Sequence, residues 1–62
     1  MRFQVNDMTC GHCTAAIEKA IGAAGGTARA DLQSKVVEVD QLGAARAMEV
    51  IREAGYTAQP LD

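Results

Sequence analysis

The order of hydrophobic patterns along the chain constrains its fold more strongly than any single residue does. Within 62 residues, four segments alternate apolar and polar side chains, which is the period of a half-buried strand. Two further segments repeat apolar residues every three or four positions, which is the period of an amphipathic helix. The patterns predict strand, helix, strand, strand, helix and strand, over residues 2–6, 13–24, 27–32, 35–39, 43–54 and 56–61 in turn.

Each helical segment has one apolar face and is followed by glycine. The first face contains Cys13, Ile17, Ala20, Ile21 and Ala24, and the second contains Ala44, Ala47, Ile51 and Ala54 with Met48 or Val50 beside it. Gly25 and Gly26 follow the first segment, and Gly55 follows the second. Because glycine adopts the left-handed conformation of a helix end at little cost, both helices are expected to stop there.

The two middle strands are predicted to form a hairpin with an apolar inner face. The residues expected to point inward are Ala28, Ala30, Leu32, Val37 and Val39. Gln33 and Ser34 lie between the two arms, but they are not a favoured turn pair, so the turn is expected to be a residue or two longer. Pro60 in the last strand fits a sheet edge, because proline has no amide hydrogen to donate.

Short connections and right-handed crossovers allow few arrangements of this element order. The arrangement that fits is the ferredoxin-like βαββαβ sandwich, an α+β fold in which two helices cover one face of a four-stranded antiparallel sheet. Residues 1–62 then form one domain, since no linker or internal repeat interrupts them. The loop before the first helix and the turn at Gly55 and Tyr56 occupy corresponding junctions of the two halves, so both are expected at the same end of the sheet.

Composition excludes several classes of function. The net charge is −2 with both signs interspersed, whereas a nucleic-acid-binding domain carries a basic stripe. No apolar run approaches the roughly 18 residues of a membrane span, so no insertion into a membrane is expected. Residues 1–6 lack the apolar region of a signal peptide, which favours a cytoplasmic location.

Residues 8–13, Met-Thr-Cys-Gly-His-Cys, contain both cysteines and the only histidine of the sequence. Two thiols separated by two residues can converge on one soft metal ion or close into a disulfide, and their spacing alone does not decide between these outcomes. Structural disulfides are typical of exported proteins, whereas a close pair in a reducing cytosol is more often metal-binding or catalytic. Cys10 and Cys13 are therefore the candidate metal ligands.

The number of available ligands favours Cu(I) at this pair. Cys13 is predicted to lie in the first turn of a helix, where partial positive charge and unpaired amides favour the thiolate that binds metal. A closed zinc site needs four protein ligands, whereas two-coordinate Cu(I) needs only two thiolates. An ion held in this way is open to a partner's thiolates, which suits transfer. Metal can also bridge two copies of a chain that is expected to be a monomer when metal-free.

Three residues are candidates for auxiliary roles at this site. Met8 offers a thioether, but methionine usually fills a core, and it is expected to be buried beneath the loop. His12 lies between the cysteines and is expected to be a solvated loop residue rather than a ligand. Tyr56 is expected to be partly buried, and it is a candidate for shielding the metal or contacting a partner.

The segment 8–13, placed after a first strand, resembles the M-x-C-x-x-C motif of heavy-metal-associated domains. The resemblance extends over essentially the whole chain, including the glycine–tyrosine pair after the second helix, and within the family it points to small bacterial copper chaperones of the CopZ type. It implies that Cys10 and Cys13 bind Cu(I), that Met8 supports the loop from the core, and that Tyr56 lies near the metal. It further implies delivery to a copper-transporting P-type ATPase by a protein that is not itself an enzyme.

Three alternatives stay open at the level of sequence. Related domains carry zinc or mercury, and Asp7 stands where the family often has glycine, which places a hard oxygen near the site. Cys-Gly-His-Cys is also the active-site tetrapeptide of protein disulfide isomerases, although those thioredoxin-like thiol–disulfide oxidoreductases are longer and usually have tryptophan before the first cysteine. The third alternative is an excised domain of a copper ATPase. Met1 directly before the first strand instead favours a complete small protein.

Overall fold

The computed structural model describes residues 1–61, and its elements follow the predicted order. They are β1 (Arg2–Gln4), α1 (Gly11–Ala23), β2 (Thr27–Asp31), β3 (Val36–Asp40), α2 (Ala44–Glu53) and β4 (Gln59–Pro60). The strands form one antiparallel sheet in the order β2-β3-β1-β4. This topology is the ferredoxin-like βαββαβ fold, so the predicted fold class is confirmed.

The hydrophobic core lies between the sheet and the two helices. Alternation along the strands decides which side chains enter it: Val37 and Val39 are buried, whereas Glu38 between them is exposed. The buried apolar residues are Phe3, Val5, Met8, Cys13, Ile17, Ile21, Val37, Val39, Ala47, Val50, Ile51 and Ala58. Fully burying one side chain the size of valine or isoleucine stabilises the fold by about 1.5–3 kcal/mol, so this layer is the main driving force for folding.

All six elements have bounds that differ from the prediction by at least one residue, and the differences are clearest in β1, α1 and β4. β1 ends at Gln4, although the alternation of side chains continues to the buried Val5. α1 begins at Gly11, so that Cys13 lies in its first turn as predicted. The last strand begins at Gln59 rather than Tyr56 and pairs with β1 at the edge of the sheet, which is the position that Pro60 predicted.

Two residues that were predicted to point inward, Leu32 and Ala44, are instead exposed. Leu32 is 38% exposed because it lies in the turn formed by residues 32–35, where the two-residue period of a strand no longer applies. That turn is longer than the Gln33–Ser34 pair, as expected, and Lys35 completes it with a φ of 60°. Ala44 is the first residue of α2, whose buried face starts only at Ala47.

Both helices end at a glycine with positive φ, as predicted. Gly25 has a φ of 96° and Gly55 a φ of 100°. In each case the amide of the following residue donates a hydrogen bond to a carbonyl in the last turn of the helix, which is the Schellman arrangement. These bonds are Gly26 N–H to Ile21 C=O, 3.0 Å, and Tyr56 N–H to Ile51 C=O, 3.1 Å. Neither helix in residues 1–61 is long and apolar enough to cross a membrane.

Three connecting segments lie at one end of the sheet. Gln4, at the end of β1, pairs with Val36 at the start of β3 and with Gln59 at the start of β4. The loop between β1 and α1 (residues 5–10, the cysteine loop) therefore lies at the same end as the hairpin turn and the loop between α2 and β4 (residues 54–58, the tyrosine loop). The prediction that the cysteine loop and the tyrosine loop lie at the same end of the sheet is confirmed.

Candidate metal centre

The cysteine loop is held between a buried side chain and the start of α1. The Met8 amide donates a hydrogen bond to the Val5 carbonyl at 3.2 Å, which closes a turn immediately after β1. The Met8 side chain is buried in the core, as predicted, and it anchors the loop from below. Thr9 and Cys10, which follow it, are exposed. The loop therefore presents its cysteine end to solvent while its base is fixed.

Cys10 is the N-cap residue of α1, and Cys13 lies in the first turn. Cys10 has an extended backbone, with φ −153° and ψ 170°, and its carbonyl accepts the amide of Cys13 at 3.0 Å. The two residues thus lie on one helical turn, whose amides carry a partial positive charge that favours an anion. This local geometry brings both side chains to the same tip of the molecule.

The two thiols lie close together without being bonded. The Sγ atoms of Cys10 and Cys13 are 3.4 Å apart, whereas a disulfide requires about 2.05 Å, and both cysteines are free. Cys10 is exposed, while Cys13 retains 9% of its surface exposure and packs at the edge of the core. One sulfur is therefore held in place by packing, and the other is accessible from outside.

The surroundings of Cys13 favour its thiolate. Its pKa is lowered from the ordinary value of 9.0 to about 6, mainly by the Tyr56 hydroxyl, then by the backbone of Thr9, the thiol of Cys10 and the backbone of Cys10. Burial acts in the opposite direction but is outweighed. Hydrogen-bond donors that face the sulfur stabilise its charged form, which is the form that binds metal.

Tyr56 belongs to the tyrosine loop, and the fold places its hydroxyl beside the cysteine pair. The neighbouring Cys13 thiolate raises the pKa of Tyr56, with smaller effects from burial and from the charges of Cys10 and Asp7. A raised pKa keeps the phenol in its neutral form, which has a hydrogen to donate. Tyr56 is half-buried, and its position and role toward a metal stay predictions.

His12 does not join the cysteine pair in the structure. It is exposed on the first turn of α1. Among residues 1–61 there is no group of three or more histidine, cysteine, aspartate or glutamate side chains that could hold a metal ion. The candidate site consists of the two sulfurs, with Met8 buried beneath the loop.

Asp7 connects the two loops, and sequence reasoning missed this role. Its two carboxylate oxygens accept the Thr57 amide at 3.2 and 3.3 Å, across a sequence separation of 50 residues. The sequence suggested a hard oxygen near the metal, but the carboxylate is hydrogen-bonded to the backbone of the tyrosine loop. No local pattern could have identified the pair, because the two residues meet only in the folded chain.

Comparisons with known proteins agree with this geometry. The sequence matches the model of the heavy-metal-associated domain over residues 2–57. It is 36% identical to the copper chaperone CopZ of Enterococcus hirae over 92% of this chain and 91% of that protein. The structure is similar to that of the copper chaperone Atx1 from Synechocystis PCC6803, with a TM-score of 0.86, 31% identity and coverage of 95% of this chain and 98% of that one. A gold binding protein is similar too, with a TM-score of 0.86, 32% identity and coverage of 95% of each chain.

Proposed function

Because the chain belongs to the heavy-metal-associated domain family, we propose that it is a copper chaperone that binds one Cu(I) through Cys10 and Cys13. The observation that carries the proposal is the pair of free thiols, 3.4 Å apart at an exposed tip of the molecule. The lowered pKa of Cys13, about 6, supports it, because that thiol is largely ionised at neutral pH. The proposal takes residues 1–62 as one such domain and assigns it no enzymatic activity.

The chemistry of the two sulfurs supports a soft monovalent ion as the cargo. Thiolates favour Cu(I) over hard cations, and Cu(I) accepts low coordination numbers, whereas a structural zinc site is closed by four ligands. Metal–sulfur bonds of about 2.3 Å would span a linear S–metal–S unit of about 4.6 Å, so the sulfurs must separate by about 1 Å to form it. Cys10 is exposed at the N-cap position and is the side chain that can move.

Transfer rather than storage fits the exposure of the site. Cys13 and Met8 are buried and fix one side of the ion, while Cys10 and the exposed His12 leave the other side open to incoming thiolates. We propose that a copper-transporting P-type ATPase supplies those thiolates, in the cytoplasm, because similar proteins carry the name copper chaperone. Copper found on a purified soluble domain of such an ATPase after mixing with the loaded protein would support this partner, and retention of all copper by the loaded protein would count against it.

The auxiliary residues take distinct roles in this proposal. Met8 supports the cysteine loop from the core and does not bind the metal, because its side chain is buried. Tyr56 shields the ion on the side of the tyrosine loop. His12 adjusts the local charge from outside the ligand set. Replacing His12 by alanine should therefore leave Cu(I) affinity within about threefold of the parent value, a change of about 0.7 kcal/mol.

Competition with a chromophoric Cu(I) chelator tests the ligands directly. The reduced protein should withdraw one Cu(I) per chain from the chelator, and the double variant Cys10→Ser with Cys13→Ser should withdraw none. Each single variant should bind much more weakly, because one thiolate is left. Tight binding by the double variant would contradict the proposal.

Zinc is the second candidate cargo, since two thiolates also bind Zn(II) when further ligands complete its shell. Affinities of the reduced protein for Cu(I) and Zn(II), measured under the same conditions, decide between them, and tighter binding of Zn(II) would favour the alternative. Mercury, another thiophilic ion, belongs in the same comparison. An insulin-reduction assay addresses the thiol–disulfide oxidoreductase alternative, for which we expect no activity.

The two-thiolate count also predicts a metal-dependent change in mass. Each chain supplies only two sulfurs at an exposed tip, so one ion can draw further ligands from a second chain. Sedimentation with and without Cu(I) should show a metal-free monomer and a heavier species when copper is added. An unchanged mass over a broad range of protein concentration would contradict the bridging.

A further inference from the structure

The tyrosine loop reaches the cysteine pair as part of a segment fixed at two adjacent amides. The Tyr56 amide donates to the Ile51 carbonyl at 3.1 Å, which ties the residue to the end of α2. The next amide, that of Thr57, donates to both carboxylate oxygens of Asp7, at 3.2 and 3.3 Å. The first bond fixes Tyr56 to its own helix, and the second fixes the loop to the segment that carries Cys10.

Asp7 is itself held in a defined position. It lies in the turn between Val5 and Met8, which is closed by a 3.2 Å hydrogen bond from the Met8 amide to the Val5 carbonyl. Val5 and Met8 are both buried. The carboxylate therefore projects from a rigid base. Hydrogen bonds from an amide to an ionised carboxylate are stronger than those between neutral groups, by roughly a factor of two. The link is short in space and bridges the two loops that form the site.

We propose that Asp7 is a positioning residue of the metal site, which holds the tyrosine loop against the cysteine loop so that Tyr56 covers the cysteine pair. The inference rests on the proposed function for its copper-dependent part, while its structural part is independent of any metal. Asp7 acts through the Thr57 amide and not as a ligand, because both of its oxygens face that amide. Without the link, the tyrosine loop keeps its attachment to α2 and loses its attachment to the cysteine loop.

The metal-free protein gives the first test. In Asp7→Ala, solvent exchange of the Thr57 amide, measured by NMR, should speed up by about tenfold, the effect of losing one hydrogen bond to a charged group. Tyrosine fluorescence should become easier to quench with acrylamide, and the signal is unambiguous because the sequence has one tyrosine and no tryptophan. Asp31→Ala is the matched control, since Asp31 also accepts a backbone amide, that of Gln33 at 3.0 Å, but in the hairpin turn.

Asp7→Asn separates the hydrogen bond from the charge. The amide side chain keeps an acceptor oxygen for Thr57 but loses the negative charge, so exchange should rise by about threefold, between the parent and the alanine variant. Thr57 exchange and Tyr56 quenching that stay at parental values in Asp7→Ala, in a protein that still folds, would overturn the proposal. Equal changes in Asp31→Ala would overturn it as well, because the effect would then not be specific to this link.

The copper-loaded protein gives the second test. Removal of Cu(I) by excess chromophoric chelator should be faster in Asp7→Ala than in the parent and Asp31→Ala, because an unfastened tyrosine loop no longer covers the ion. If Asp7 were instead a ligand, Asp7→Asn would lower Zn(II) affinity strongly without loosening Thr57, and that result would overturn the positioning role. Failure of the parent to bind Cu(I) would defeat the proposed function alone, since the Thr57 and Tyr56 measurements would still decide the link.

Discussion

Replacing Tyr56 by phenylalanine removes the hydroxyl beside Cys13 while keeping the ring that packs in the tyrosine loop. That hydroxyl is the largest of four contributions that together lower the pKa of Cys13 from 9.0 to about 6. Its loss should therefore raise the pKa of Cys13 to about 7 or above. At pH 7 the ionised fraction of this thiol should fall from about nine-tenths to about half or less.

The assay is a pH titration of the reduced, metal-free protein, in which ionisation of the thiol is followed by the ultraviolet absorbance of the thiolate. Cys10→Ser serves as the common background, so that Cys13 supplies the whole thiolate signal. Replacing Cys10 removes the effect of its thiol on the pKa of Cys13 from both proteins that are compared. The remaining difference between their Cys13 pKa values is therefore due to the Tyr56 hydroxyl. Circular dichroism of each variant confirms that the fold is retained.

A pKa of Cys13 that is the same in Tyr56→Phe and in its background would refute the reasoning. It would mean that the helix N-terminus and the backbone of Thr9 suffice to hold the thiolate, and that Tyr56 is a neighbour without an electrostatic role. A lowered pKa would refute it more strongly, because removing a donor cannot stabilise the charged sulfur.

Further predictions concern stability. Met8→Ala should lower the free energy of unfolding by about 2–5 kcal/mol in a urea titration while leaving Cu(I) affinity nearly unchanged, because a buried side chain is lost; normal stability with weakened binding would reverse the assignment. Gly26→Ala should destabilise by about 1–3 kcal/mol, since its Cβ would lie 3.0 Å from the Leu42 Cβ. Gly22→Ala, with nothing within 4 Å, should stabilise α1 by about 0.5–1 kcal/mol. Between pH 6 and 9 the unfolded chain binds more protons at Cys13 than the folded one, so the stability that Cys13 contributes should rise with pH across that window and be absent below it, and Cys13→Ser should lose this rise.

The periodicity of apolar residues predicted most of the fold. The alternation at Phe3 and Val5 and the helical spacing of Ile17 and Ile21 identified core positions because a strand and a helix each place a fixed fraction of side chains on one face. The glycine after each helix marked its end, since the positive φ at that point favours a residue without a Cβ. These signals are local, and the sequence contains them in full.

Errors arose where an element gave way to a turn or a helix end. Leu32 continued the alternation of β2 in the sequence, but the chain had already entered the turn, so its side chain faces solvent. Ala44 fitted the apolar period of α2 but is its first residue and lies outside the buried face. The start of α1 at Gly11 was not predicted either, because glycine is a poor helix former.

Part of the candidate site could likewise be predicted from local sequence patterns, and part could not. The spacing of Cys10 and Cys13, with two residues between them, predicted that their thiols can converge, and their sulfurs lie 3.4 Å apart. The contact of Asp7 with Thr57 could not be predicted, because a hydrogen bond across 50 residues depends on the sheet register that brings the two loops together. The position of Tyr56 at the same end of the sheet as the cysteine loop could be predicted only from the fold topology, because the two segments are far apart in sequence.

X-ray absorption spectroscopy of the copper-loaded protein at equimolar copper tests the central claim most directly. The account predicts Cu(I) bound to two sulfurs from each chain, without histidine nitrogen, and loss of the sulfur signal when Cys10 and Cys13 are both replaced by serine. An ion enclosed by four ligands from a single chain, or one bonded to no sulfur at all, would contradict it.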